Sequence, residues 1–200
     1  FTDPVTFTPK SHTTLGCAGF NHLDFSIDGR YLIGSCEFDG HMLKVDLQTR
    51  QVVGRFRIDI SMSGRPNPIK SIAQPQDVRL SADGKVFYVA DLVTDGVYLI
   101  DGESFTQIGL IPTGVGAHGL YPSRDGRQLY VVNRGTSTIP PVGSFKGKGQ
   151  GSVTVIDFAT RQVVGQWPME GGGSPDMGAL TADGNELWLG GRYDAEVYVF

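Results

Sequence analysis

Ser81-Ala82-Asp83-Gly84-Lys85-Val86-Phe87-Tyr88-Val89-Ala90-Asp91 reads as a tight turn running into a strand. Asp-Gly closes such turns because glycine accepts positive φ without steric cost and aspartate bonds nearby backbone N–H groups. The run after it is β-branched and aromatic, as a packed strand prefers. The unit recurs. Ser26-Ile27-Asp28-Gly29-Arg30 precedes Tyr31-Leu32-Ile33-Gly34, and Ser123-Arg124-Asp125-Gly126-Arg127 precedes Leu129-Tyr130-Val131-Val132. Thr181-Ala182-Asp183-Gly184-Asn185 precedes Leu187-Trp188-Leu189. Repetition of one supersecondary unit decides the fold class.

Around each turn the remaining strands fall into register. One strand precedes each Asp-Gly, over 23–26, 78–81, 119–121 and 177–181. A third follows at 42–46, 97–101, 153–157 and 197–200. Asp46, Asp101 and Asp157 each stand 8 residues before a glycine, at Gly54, Gly109 and Gly165, with a polar turn and a fourth strand between. Four antiparallel strands per unit is the blade of a β-propeller, so the chain is expected to be all-β. The blades fall at about 17–58, 73–111, 115–167 and 174–200, the last one incomplete.

The spacing shows where chain has been added. Asp28 to Asp83 is 55 residues, Asp83 to Asp125 is 42, and Asp125 to Asp183 is 58. The shortest interval is a bare blade. One extra segment lies within 134–151 and another between Gly54 and Asp77. The periodicity calls for another aspartate one place beyond Phe200, so the expected whole is a larger ring of about seven blades. The competing expectation is a closed four-blade ring completed by Val5–Thr8. Residues 1–16, rich in Thr and Pro, read as an extended segment, a candidate outer strand for a neighbouring blade.

Composition narrows the function classes. Of the 200 residues 28 are glycine without a collagen period, so they are turn residues. The formal charge of −4 carries no run of like sign, which argues against a nucleic-acid partner. No apolar stretch approaches the roughly 20 residues of a membrane span. The chain opens on Phe1 without a signal-peptide pattern.

Propeller connectivity sorts the loops. Connections from second to third strand, and from fourth strand to the next blade, share one face. Both extra segments fall there, as does the Gly-rich 170–176 link, read as flexible. Loops on a rigid scaffold carry function, so this face is the expected binding surface for a protein or small-molecule ligand. Polar residues gather at its rim. Asn21, His22, Gln76, Asp77, His118 and Asp176 stand where first strands begin, and Cys36, Glu37, Asp91, Asn133, Arg134 and Arg192 where second strands end. The binding set drawn from them is Asn21, His22, Asp77, Asp91, His118, Arg134, Asp176 and Arg192. The competing reading is that these groups bond loop backbones and hold blades together.

Folding at Asp28-Gly29 brings Cys36 opposite residues near 20, within plausible disulfide reach of Cys17. Two alternatives stay open: free thiols, or a zinc or copper site using Cys17, His22, Cys36 and His41. Their spacing matches no tight ligand motif. No Gly-x-Ser-x-Gly elbow is present, and Gly143-Ser144-Phe145-Lys146-Gly147-Lys148-Gly149 lacks P-loop spacing, reading as a basic loop.

The Ser-x-Asp-Gly-(Arg/Lys) turns, Leu129-Tyr130-Val131-Val132-Asn133-Arg134 and Val155-Ile156-Asp157-Phe158-Ala159-Thr160 resemble the YVTN-type repeat family of β-propellers. The resemblance covers roughly 17–200. It implies a periplasmic or extracellular address and a binding or scaffold role, with no cofactor expected. Related propellers include lactonases, the copper-cluster domain of nitrous-oxide reductase and the haem d1 domain of nitrite reductases. An enzyme domain is therefore the alternative: a lactonase-like hydrolase, or an oxidoreductase using copper, zinc or haem. In nitrous-oxide reductase histidines around the propeller mouth hold copper. This chain departs from that pattern, with His22 and His118 in two blades but Asp77 and Asp176 in the others.

Overall fold

In the computed structural model, which describes residues 1–63, 72–136 and 149–200, each turn-and-strand repeat becomes one antiparallel sheet. The first blade is β1 (Phe20–Phe25), β2 (Tyr31–Cys36), β3 (His41–Asp46) and β4 (Gln51–Arg57). The second is β5 (Pro75–Leu80), β6 (Val86–Asp91), β7 (Gly96–Asp101) and β8 (Thr106–Pro112). The third is β9 (Ala117–Pro122), β10 (Gln128–Asn133), β11 (Ser152–Asp157) and β12 (Gln162–Pro168). The last has three strands, β13 (Pro175–Leu180), β14 (Leu187–Gly191) and β15 (Val197–Val199). Each sheet is ordered as the chain runs, and the sheets form an open array, a partial propeller. Most of the extra segment within 134–151, and the basic run 143–149 apart from Gly149, lie outside the described residues.

The Asp-Gly turns share one hydrogen-bond scheme. In the second blade Ser81 Oγ donates to Asp83 Oδ1 at 2.6 Å, the Lys85 N–H donates to the same oxygen, and the Val86 N–H donates to Ser81 Oγ. Gly84 takes φ 73°, the conformation only glycine adopts freely. The later turn is equally regular: Asp101 Oδ1 accepts from both the N–H and the hydroxyl of Ser104 at 2.8 Å, and Asp157 does the same for Thr160. The eight-residue Asp-to-Gly spacing encodes a β-bulge. Register slips between Gly54 and Val52, between Gly109 and Gln107, and between Gly165 and Val163, leaving Val53, Ile108 and Val164 unpaired.

The core lies between blades. Along β6, Val86, Tyr88 and Ala90 pack towards the third blade, while Phe87 and Val89 pack towards the first. The two-residue strand period thus serves two interfaces at once, and every residue of β6 is buried. A third cluster, with Val132, Val153, Leu187 and Leu189, joins the third blade to the fourth. The fourth blade is packed on one side, leaving Trp188 47% and Val197 64% exposed.

Two local expectations differ from what forms. Val5–Thr8 is not an extended run: Asp3 Oδ1 accepts from the Val5 and Thr6 N–H groups, and Phe7 sits at φ 56°. This loop lies against the first blade, where Thr13 Oγ1 donates to the Arg50 carbonyl and the Arg50 side chain donates to Ser11 Oγ. The glycine link at 170–176 is tied down, not free. Gly173 donates to the Gly149 carbonyl and its own carbonyl accepts from Gly151. At Gly151 a Cβ would stand 2.6 Å from the Gly173 oxygen, so the close approach of the two backbones demands glycine.

Candidate functional site

Every inner strand breaks register at the same place. In β1 the pair Asn21-His22 lies opposite one residue, because Phe20 pairs with Cys36 and Leu23 with Gly34. Gln76-Asp77 in β5, His118 in β9 and Asp176-Met177 in β13 stand at the matching slips. A bulge bends the strand and re-aims its side chains. Buried Ser35 anchors the first one: its Oγ accepts from the His22 N–H and donates to the Gln76 carbonyl at 2.7 Å. An alternating strand pattern does not register an extra residue, which is why the sequence places these residues at the rim without their cause.

The re-aimed side chains surround one cavity at the channel mouth, about 230 Å³ in volume. Six of the eight expected binding residues line it: Asn21, His22, His118, Arg134, Asp176 and Arg192. Glu37, Gln76 and Met177 complete the wall. Glu37 and Gln76 are legible in the sequence as rim residues but not as members of the binding set. Met177 reads there only as a strand residue.

Asp176 is the electrostatic centre. Its Oδ1 accepts from Arg134 Nε at 2.8 Å and lies 2.7 Å from Arg134 Nη2. Its Oδ2 accepts from Arg192 at 2.7 Å. Burial raises the Asp176 carboxyl, but contacts with His118, Arg134 and Arg192 outweigh it and the net shift is downward. His118 Nδ1 is 3.0 Å from Asp176 Oδ1, off the line of a hydrogen bond. Burial, helped by Arg134, lowers the His118 imidazole to about 3, so it is neutral at ordinary pH and the arginines carry the pull on Asp176. The His22 and His118 rings meet edge-to-face, 5.9 Å apart.

Asp77 stands beneath the cavity. Its carboxylate accepts from the Val78 and Leu120 N–H groups at 2.9 Å, pairs with Arg79 at 2.8 Å, and lies 3.4 Å from His22 Nδ1. Leu120 belongs to the next blade, so Asp77 also holds two blades together. Burial pushes its carboxyl up against the pull of Arg79. In the preceding blade Asp24 does the same, accepting from the Leu80 N–H.

Asp91 does not reach the cavity. It is fully buried and accepts from the N–H groups of Gln74, Val93 and Thr94 and from the Thr94 hydroxyl. The reason is one of register. The mouth position is the residue after the second strand, where Glu37, Leu92, Arg134 and Arg192 make one repeated backbone bond, to the carbonyls of Gly19, Gln74, Gly116 and Ser174.

Cys17 and Cys36 form a disulfide with Cα atoms 6.0 Å apart, which removes both from any metal-ligand set. It closes the first hairpin directly beside Glu37. His41 lies 3.1 Å from Asp39 and outside the cavity wall. Among the described residues no three His, Cys, Asp or Glu side chains gather as a metal group. No described helix is long and apolar enough to cross a membrane.

No protein-family model matches the chain, and no curated protein matches it. Solved structures do match. The hydrazine synthase of Kuenenia stuttgartiensis superposes with a TM-score of 0.65 at 23% identity, over 90% of this chain and 44% of that one. A Bacteroides uniformis protein described as a candidate 6-phosphogluconolactonase superposes with a TM-score of 0.64 at 17% identity, over 90% of this chain and 49% of that one. The chain thus spans less than half of each. At this identity the likeness shows the propeller-type fold alone.

Proposed function

We propose that this chain belongs to an extracytoplasmic propeller of the YVTN-repeat type that acts as a binding module, with a small ligand seated at the channel mouth. One observation carries the reading: all four inner strands spend a bulge at the mouth, and the side chains turned there line a single polar cavity. Bulges weaken pairing locally, so four equivalent ones at one rim argue for a shared purpose. The disulfide beside Glu37 favours an oxidising compartment. Binding is favoured over proton transfer at His118, because an imidazole held near 3 is a weak base.

The test is a thermal-shift screen of small polar compounds on the full-length protein and on an Asn21→Trp variant, which fills the cavity from the exposed side. Compounds that stabilise the wild type and not the variant support the reading. Equal stabilisation of both by every hit would place the ligand elsewhere and refute it.

A second reading rests on His22, which lies against the Asp77 carboxyl and reaches the cavity. That pair has the components of a general acid–base couple for lactone hydrolysis. Hydrolysis by the full-length protein that survives His22→Gln unchanged would sink it.

A further inference from the structure

The repeat itself sorts the charge at the mouth. Glu37, Leu92, Arg134 and Arg192 occupy one equivalent position in successive blades. The rim is therefore acidic at the first blade and cationic at the third and fourth, while Leu92 of the second is fully buried and does not line the cavity. Glu37, Arg134 and Arg192 line the same cavity.

Among the described residues, neither pole is neutralised by its neighbours. On the cationic side two guanidinium groups share the single carboxylate of Asp176, and His118 between them is neutral. One positive charge is left over. The Arg134 side chain is 3% exposed, and its Nη1 has no hydrogen-bond partner among the described residues. On the acidic side Glu37 Oε2 accepts from the Asn21 amide at 3.1 Å and Oε1 from the Gln74 amide at 3.2 Å. Those donors are neutral, and Glu37 pairs with no cation among the described residues.

From this arrangement we infer that the mouth binds a small zwitterion of the α-amino-acid kind, its carboxylate on the Arg134–Arg192 side and its ammonium on Glu37. The inference rests on the binding-module reading of the same cavity. A planar carboxylate matches the guanidinium fork. A cavity of about 230 Å³ has room for a small ligand. A simple anion would leave Glu37 facing it across the cavity, and a simple cation would face both arginines.

The experiment is isothermal titration of the full-length protein with the common α-amino acids. The tightest binder is then compared with its N-acetyl derivative, an anion, and its methyl ester, a cation. The expected result is that each derivative binds at least tenfold more weakly. Glu37→Gln should erase the preference over the N-acetyl form, and Arg192→Gln the preference over the ester. Arg192 is chosen because it is half-exposed and its loss leaves the buried Arg134–Asp176 pair intact, with circular dichroism checking the fold. An N-acetyl form or an ester that binds as tightly as the zwitterion overturns the inference while the binding reading stands. So does failure of every amino acid to bind. Binding that is indifferent to Asn21→Trp overturns both.

Discussion

Replacing Asp176 by Asn tests how the mouth is held together. The amide keeps the shape but removes the charge that pairs Arg134, whose side chain is 3% exposed, and Arg192, which is 38% exposed. The two partners are unequal. The exposed arginine loses about 0.2–1 kcal/mol, the value of a surface pair. The buried one is left as an uncompensated charge, at about 3–5 kcal/mol. Asp176→Asn should therefore lower unfolding free energy by about 3–5 kcal/mol, while Arg192→Gln should cost less than about 1 kcal/mol. The double variant Asp176→Leu/Arg134→Met removes the buried pair altogether. It should recover some of the loss, because apolar groups of similar volume often replace a buried pair at little cost. Urea unfolding of the full-length protein, with unchanged m-values as the check on two-state behaviour, measures all of these variants. An Asp176→Asn cost below about 1 kcal/mol, or a double variant no more stable than Asp176→Asn, would show that Asp176 does not anchor these arginines.

The same centre sets a pH dependence. Asp176 has a lowered folded value, so its contribution is present above its unfolded value near 3.8 and is lost as pH falls through the lower folded value. His118 acts earlier: the unfolded imidazole takes a proton below about 6.5 and the folded one does not until about 3, so stability should fall as pH drops through that window. A His118→Gln variant that shows the same slope between about pH 6.5 and 4 would refute the assignment. The Cys17–Cys36 bond closes a loop of 19 residues' separation, so its reduction should cost about 3 kcal/mol, read as a drop in Tm with reductant that a Cys17→Ser/Cys36→Ser variant abolishes. At Gly116, φ is +74° and a Cβ would lie 1.9 Å from the Thr136 carbonyl oxygen, so Gly116→Ala should destabilise by more than about 1 kcal/mol in thermal unfolding. Phe87→Ala should cost about 3–5 kcal/mol, because Phe87 is wholly buried between the first two blades; a loss under about 1 kcal/mol would deny that interface its weight.

The blade was legible because its signals are local. Asp83-Gly84 needs only its own few residues to form, and the strand after it needs only β-branched and aromatic side chains. The rim was legible by connectivity, since counting strands places each loop on a face. What connectivity lacks is the bulge. Asp91 and Leu92 are adjacent in sequence, yet the first turns inward to bond Gln74, Val93 and Thr94 and the second holds the mouth position. A rule that counts strand ends cannot choose between neighbours; only the repeated backbone bond does. Residues 170–176 misled for a related reason. Glycine there marks a close approach to the chain at 149–151, a non-local contact that composition alone reads as freedom.

The two readings of the rim, blade-holding and ligand-binding, divide by blade. Asp77 spends both oxygens on backbone and Arg79, and it bonds the next blade's Leu120, so the structural account covers it. Asp24 does likewise with Leu80. Arg134 and Glu37 resist that account. A guanidinium needed only to brace Asp176 would not also leave a buried nitrogen without a partner among the described residues. Glu37 sets a formal charge against two neutral amides, one on each oxygen, and pairs with no cation among the described residues. What distinguishes the chosen residues is formal charge in excess of local need, with opposite signs lining one cavity. The Glu37→Gln variant separates the two roles. If the charge serves the fold, the variant loses stability and keeps its ligand preference; if it serves the ligand, the stability holds and the preference goes.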